Sequence, residues 1–206
     1  MDTRFTKLLL LTNGLVPLGL LLWDVWRKQV GANPLEFVTR TTGMLTLVFL
    51  CLTLAVTPLR KIFGVNELVK YRRMLGLFAF FYGSLHLLTY VWFDRQFHLL
   101  STIEDIGRRP FILAGMTAFA LMVPLAITST NQMIKRLGGK TWARLHQLVY
   151  LAAIAAVIHF WMLVKSDTSL PMTFAFILLL LLGYRLLVKY APTQPSPSNT
   201  SLFPRD

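Results

Sequence analysis

Three histidines lie inside long apolar stretches of the chain. His86 belongs to the stretch FFYGSLHLLTY, and His146 and His159 belong to RLHQLVYLAAIAAVIHF. An ionisable ring is costly inside a bilayer, so such residues are candidates for function. Imidazoles from two helices can hold one haem iron from opposite sides. The alternatives are hydrogen-bonded contacts between helices, or a cofactor-free transporter or assembly factor whose histidines bind substrate or relay protons.

The composition predicts the membrane helices that must position these rings. Of 206 residues 55% are hydrophobic and 15% charged, and the mean hydropathy is +0.57. These values indicate a polytopic membrane protein, in which about twenty apolar residues cross the bilayer as a helix. We therefore predict an all-α bundle of six transmembrane helices: Leu8–Trp26, Gly43–Ile62, Tyr71–Phe93, Pro110–Ser129, Leu145–Lys165 and Leu170–Val188.

The net charge of +12 is divided unequally among the loops. Segments 1–7, 60–73, 131–144 and 185 onward contain fourteen of the twenty-one Lys and Arg residues. Because cytoplasmic loops are the basic ones, this pattern places both termini and the loops after the second and fourth helices in the cytoplasm. Topology explains the charge, so no nucleic-acid site is indicated.

His86 and His159 are predicted to lie at the same depth. With this topology, His86 is about 22 Å and His159 about 21 Å from the inner ends of their helices, at a rise of 1.5 Å per residue. Equal depth on two helices predicts a bis-histidine haem b site in the outer half of the bilayer.

His146 is predicted to lie near the inner end of the fifth helix, where no histidine on the third helix can pair with it. Arg72 and Arg73 occupy the corresponding positions. The thirteen residues from His146 to His159 also place these two rings about 140° apart around an ideal helix. An inner haem site on the same face would therefore need a distorted turn.

Small residues near these histidines have two interpretations. Ala152 and Ala155 share a face with His159, and Gly76 and Gly83 lie on the helix of His86. Such residues leave room for a flat ring, or they simply let two helices approach closely.

Two further residues carry limited information. Cys51, as the only cysteine, excludes an internal disulfide and a paired redox site. His98 lies in FDRQFHLLSTIEDIGRRP, a predicted polar external loop, and is expected at the surface.

Two segments carry a specific family resemblance: RRMLGLFAFFYGSLHLLTY and TSTNQMIKRLGGKTWARLHQLVYLAAIAAVIHFWMLVK. They resemble the MsrQ (YedZ) family, the haem-binding membrane subunits of bacterial periplasmic methionine sulfoxide reductase systems, within the ferric-reductase-like transmembrane superfamily. The similarity extends from about residue 40 to 190. The first helix is compatible with it.

The resemblance implies an electron-transfer subunit in the bacterial inner membrane rather than the catalytic subunit of an oxidoreductase. Electrons would pass from the quinone pool or a cytoplasmic flavin reductase through haem b to MsrP, a periplasmic molybdopterin enzyme that reduces methionine sulfoxide. His86, His146 and His159 match the histidines that the family associates with haem. The usual second inner histidine is replaced by Arg72 and Arg73, which leaves one or two haems possible.

The family resemblance also implies FMN. Arg60, Lys61, Arg72 and Arg73 would cluster at the inner face and could meet a phosphate or a haem propionate, although cytoplasmic loops are basic in any case. The chain contains no nucleotide-binding motif and should not oxidise NAD(P)H unaided. A ferric-reductase or oxidase-like haem b module with another acceptor is the alternative function.

The last residues form a separate segment. Residues 1–190 are predicted to be the haem-binding membrane domain, and 191–206, rich in Pro and Ser, a disordered cytoplasmic tail. We expect truncation after Ala191 to leave haem binding intact, because the tail contains none of the candidate ligands. An absorption spectrum of the truncated protein tests this, and loss of the pigment would show the prediction to be wrong.

Overall fold

The computed structural model describes residues 3–94 and 96–190, and the regular elements within these ranges are helical. A 3₁₀ turn at Asn66–Leu68 and a π turn at Tyr90–Asp94 flank the third helix. The predicted tail, 191–206, lies outside the described residues. The α-helices in the described ranges are α1 (Thr3–Trp26), α2 (Pro34–Phe63), α3 (Val69–Thr89), α4 (Leu99–Arg108), α5 (Pro110–Ile127), α6 (Asn131–Leu137), α7 (Gly139–Leu145), α8 (Leu148–Leu163) and α9 (Ser169–Tyr190).

Six helical segments are long and apolar enough to cross a bilayer, which confirms the predicted fold class and a multi-pass membrane protein. The ends that the loop charges predict to be cytoplasmic are called inner below, and the opposite ends outer. The six segments among the described residues are Arg4–Trp26, Pro34–Phe63, Asn66–Phe93, Pro110–Ile127, Gly139–Leu163 and Ser169–Tyr190.

The second span begins at Pro34 rather than at the predicted Gly43. The Asn33 side chain caps this earlier start by accepting a hydrogen bond from the Glu36 N–H at 3.2 Å. Pro34 at the first helical position needs no hydrogen-bond partner. The resulting 30-residue helix is about 45 Å long and extends beyond the bilayer core. The sequence prediction missed this part because it counted only apolar residues.

The predicted outer loop contains α4, a helix that the sequence analysis did not identify. The side of α4 that packs against the protein includes two polar residues, Thr102 and Asp105, each 8% exposed. Ile103, in contrast, is 65% exposed. A ten-residue helix with charged side chains has no long apolar run, so the prediction of membrane spans did not include it. His98 immediately precedes α4 and is exposed, as predicted.

Two helix pairs form the centre of the bundle: α2 packs along α3, and α5 packs along α8. Residues with no exposed surface at these contacts include Leu54, Ala79, Tyr82 and Ala152. Because lipid is as apolar as leucine, small residues that permit close packing contribute more to such contacts than hydrophobicity does.

Gly76 and Gly83 serve this close packing. A Cβ atom at Gly83 would lie 3.1 Å from the end of Met122 on α5, and one at Gly76 would lie 3.7 Å from Thr53 on α2. Of the two interpretations of these glycines, the structure supports close helix approach.

The first helix attaches to the bundle near Gly14. The Tyr82 hydroxyl, which is completely buried, donates a 2.6 Å hydrogen bond to the Gly14 carbonyl. The Phe78 ring occupies the space where a Cβ atom of residue 14 would be. Glycine is therefore required at this position for α1 to approach α3.

We expect Gly14→Ala to force Phe78 or α1 to move and to cost about 1–3 kcal/mol, as overpacking does. In a protein of this size, that cost lowers the midpoint of thermal unfolding by roughly 2–10 °C. Gly19→Ala on the same helix is the matched control, because no atom lies within 4 Å of its Cβ position. Equal midpoints for the two detergent-solubilised variants would contradict this account of the α1 contact.

Candidate functional site

The structure brings together the rings of His86 on α3 and His159 on α8. Their centroids are 6.1 Å apart and their planes are inclined by 78°. Two imidazoles that share one iron have ring centres about 6 Å apart, because a metal–imidazole bond is about 2 Å long. The observed separation is therefore compatible with one metal between the rings.

A backbone carbonyl on a neighbouring helix fixes the tautomer of each ring. His86 Nδ1 lies 2.8 Å from the Thr39 carbonyl oxygen, and His159 Nδ1 lies 2.6 Å from the Phe111 carbonyl oxygen. A carbonyl can only accept a hydrogen bond, so both Nδ1 atoms must carry the proton. The two Nε2 atoms therefore keep their lone pairs, which is the arrangement that metal-binding histidines usually have.

A glycine faces each ring from the same neighbouring helix. A Cβ at Gly43 would lie 3.0 Å from His86 Nδ1, and a Cβ at Gly115 would lie 2.8 Å from His159 Nδ1. Each glycine comes four residues after the carbonyl acceptor, Thr39 or Phe111, and so lies one turn away on the same helix face. Helices α2 and α5 thus support the two histidines in the same way.

Gly43 and Gly115 were not among the glycines singled out from the sequence, which were Gly76 and Gly83. The sequence analysis searched the helices that carry the histidines, whereas the supporting glycines lie on the helices packed against them. Two glycines in the outer halves of different apolar helices were the available signal. Their contacts depend on which helices become neighbours, and the sequence alone does not specify this.

The donor set fits a haem better than a bare metal ion. Within the described residues, no group of three or more His, Cys, Asp or Glu side chains could hold a metal ion. Two imidazoles complete the coordination of an iron whose other ligands come from a porphyrin. The two available Nε2 atoms are consistent with such a group, and the glycines allow each ring to lie directly against a helix backbone.

His146 lies at the inner end, in the break between α7 and α8. Its ring stacks on Trp142 with centroids 3.8 Å apart, and its Nδ1 lies 3.1 Å from the Trp142 carbonyl oxygen. Its Nε2 is buried and has no hydrogen-bond partner among the described residues. The Leu125 backbone also contacts this ring, but no hydrogen bond of normal geometry from the described part of the chain reaches Nε2, which is therefore available to a further ligand.

The break also changes the angle between His146 and His159. The N–H groups of Gln147, Val149 and Tyr150 bond to carbonyls three residues earlier, as in a 3₁₀ helix with about 120° per residue. Three or four such steps reduce the angle between His146 and His159 around the helix axis from about 140° to roughly 60–80°. The distorted turn required by the sequence analysis is therefore present, and it brings the two rings nearer to one face.

The structure separates the two arginines that the sequence analysis proposed together. Arg72 is half-buried and interacts electrostatically with His146. Arg73 is exposed, and its guanidinium donates a hydrogen bond to the Asn131 side chain. Of the two arginines, only Arg72 is near enough to the inner histidine to interact with it electrostatically.

Arg185 is a further inner residue that the sequence analysis missed. Its guanidinium donates hydrogen bonds to the carbonyls of Leu181, at 2.7 Å, and Leu54, and it lies over the Tyr150 ring. In a regular helix, the Leu54 carbonyl would receive the N–H of residue 58, but Pro58 has none. An arginine within the apolar run ILLLLLGYRLLV was the available signal.

Comparison with known proteins gives consistent matches. The family described as "Ferric reductase like transmembrane component" matches residues 41–157, a range that includes His86 and His146 and ends just before His159. A protein of Herminiimonas arsenicoxydans is 50% identical over 182 residues, covering 87% of this chain and 84% of its own. A protein of Bordetella pertussis is 47% identical, covering 87% and 88%. Both relatives are called protein-methionine-sulfoxide reductase heme-binding subunit MsrQ.

The pairing of Arg185 with the Leu54 carbonyl predicts a coupling with Pro58. Arg185→Leu should cost about 1–3 kcal/mol because it leaves a buried carbonyl without a donor. Pro58→Ala restores an N–H at that position, so the double variant should lose at least about 0.5 kcal/mol less than the sum of the two single variants. Thermal unfolding in detergent measures these values, with Lys189→Leu, an exposed site on α9, as the control. Strict additivity would contradict this role of Arg185.

Proposed function

The chain belongs to the ferric-reductase-like transmembrane family and, within it, to the MsrQ proteins, and from this membership we propose that it is the haem-binding membrane subunit of a methionine sulfoxide reductase system. It carries electrons through haem b and is not itself the catalytic subunit. Its relatives' name states both the haem and the reductase.

The pairing of His86 with His159 is the single observation that carries this proposal. The rings come from different helices, are 6.1 Å apart, and present Nε2 lone pairs because backbone carbonyls hold both Nδ1 protons. If the histidines only formed hydrogen bonds between helices, there would be no need for two adjacent rings that both leave Nε2 available to a metal.

The protein's own groups hold and tune the cofactor. His86 and His159 would hold the haem iron through Nε2, and the carbonyls of Thr39 and Phe111 orient both rings and increase their donor strength. Helices α2 and α5 limit the access of water to the rings, which favours a low-dielectric environment. Haem b, when bound, supplies one-electron chemistry between ferric and ferrous iron.

The inner cluster supports a second cofactor site. His146 Nε2 has no partner among the described residues, and both His146 and Arg185 interact electrostatically with Arg72. The guanidinium groups of Arg72 and Arg185 suit a cofactor with an acidic group, either the phosphate of FMN or the propionate of an inner haem. Arg73 is less suited because it is directed toward Asn131.

The finer steps of electron transfer follow from the predicted topology. With both termini in the cytoplasm, the pair of His86 and His159 lies in the outer half of the bilayer. Electrons then arrive from the quinone pool or a cytoplasmic flavin reductase and leave toward a periplasmic molybdopterin reductase of the MsrP type. The bacterial inner membrane is the location that fits this path and the MsrQ relatives.

We predict that His86→Ala or His159→Ala abolishes the reduced-minus-oxidised spectrum of the outer haem, because each variant removes one axial nitrogen. His98→Ala should leave the spectrum unchanged, since His98 is an exposed outer residue. Membrane fractionation and gel filtration establish that the variants are inserted and folded. An unchanged spectrum in both ligand variants would refute the assignment.

The acceptor is tested with reduced protein. We expect the ferrous haem of the purified chain to be reoxidised when an MsrP-type molybdopterin reductase and methionine sulfoxide are added together under anaerobic conditions. Omitting the sulfoxide is the control, because the electrons then have no final acceptor. Haem that stays reduced in the complete mixture would exclude this partner while leaving haem binding itself intact.

A further inference from the structure

A buried carboxylate lies at the outer end of the bundle and connects two helices. The Tyr90 hydroxyl donates a 3.0 Å hydrogen bond to Asp105 Oδ2. Arg109 Nε lies 3.4 Å from Asp105 Oδ1. The Asp105 residue is only 8% exposed, and a carboxylate in such a position needs a compensating cation.

This network adjoins, at the outer end of the bundle, the two segments that hold the histidine pair. Tyr90 follows His86 by four residues, so it shares the same face about 6 Å further along the helix. Arg109 precedes Phe111, whose carbonyl holds His159, by two residues. The network therefore touches the outer ends of α3, which carries His86, and of α5, whose Phe111 carbonyl holds His159.

Arg109 differs from the adjacent arginine in its surroundings. Both form an ion pair with a carboxylate four residues earlier, but Arg108 and Glu104 have side chains 77% and 63% exposed. The Arg109 side chain is 50% exposed and its partner only 11%. The Asp105 contact uses Nε of Arg109, which leaves the two Nη groups of the guanidinium available to an additional anion.

We propose that Arg109 binds a propionate carboxylate of the haem held by His86 and His159, and that Asp105 and Tyr90 are positioning residues for its guanidinium. This inference rests on the proposed function. Porphyrin carboxylates need a cation or water when the ring lies in the bilayer, and a guanidinium binds carboxylate through two parallel N–H groups. The buried Asp105 holds the Arg109 side chain at the outer edge of the site, where it would otherwise extend into solvent.

The test compares two haems in four proteins. Apoprotein prepared under haem limitation is titrated with haem b and with its dimethyl ester, which has the same ring and iron but no propionate charge. Wild-type protein should prefer haem b by about tenfold to a hundredfold, the range of a hydrogen bond between charged groups. Arg109→Gln should lose most of that preference, Arg109→Lys should recover part of it, and Arg108→Gln should behave as wild type.

The reduction potential gives a second readout that a general loss of structure would not reproduce. Removing a cation beside the porphyrin stabilises ferric relative to ferrous iron, so Arg109→Gln should lower the midpoint potential and Arg108→Gln should not. Tyr90→Phe should produce a shift in the same direction but smaller.

The outcomes separate this inference from the function on which it rests. Equal preferences and equal potentials for Arg109→Gln and Arg108→Gln would overturn the role of Arg109 while the haem site remained. Failure of the wild-type protein to bind either haem would instead reject the proposed function.

Discussion

The central interaction in this structure is the hydrogen bond from each imidazole to a backbone carbonyl of an adjacent helix. It gives His86 and His159 a partner inside the bilayer, where an unpaired polar group is costly. It also determines which nitrogen retains the lone pair. The same bond that makes each histidine acceptable in lipid therefore prepares it to bind a metal.

This constraint explains the arrangement of the central helices as two similar halves. Helix α2 provides a carbonyl and a glycine for the histidine on α3, and α5 provides the same two groups for the histidine on α8. Both contacts require the helices to pack closely, because the ring lies against backbone with no side chain between them. The relative position of the two pairs then sets the distance between the rings, 6.1 Å.

The number of membrane helices could be predicted from the sequence, because each span has its own apolar signal. The sequence also predicted the matching depth of His86 and His159, which depends only on the rise per residue within two helices. Features that depend on neighbouring helices were not predictable in this way. Gly43 and Gly115 belong to this group, and so does Arg185, whose carbonyl partner is available only because a proline lies in another helix. The helix α4 was not predicted because it is short and charged and therefore lacks the signal of a membrane span.

The most direct measurement is an experimental map of the purified protein with its native pigment, obtained by cryo-electron microscopy with a rigid antibody fragment that adds mass. The account predicts planar density between α3 and α8, with Nε2 of His86 and Nε2 of His159 both at bonding distance from its central atom. The absence of a porphyrin between α3 and α8, with the two imidazoles in direct contact and no ring between them, would contradict it.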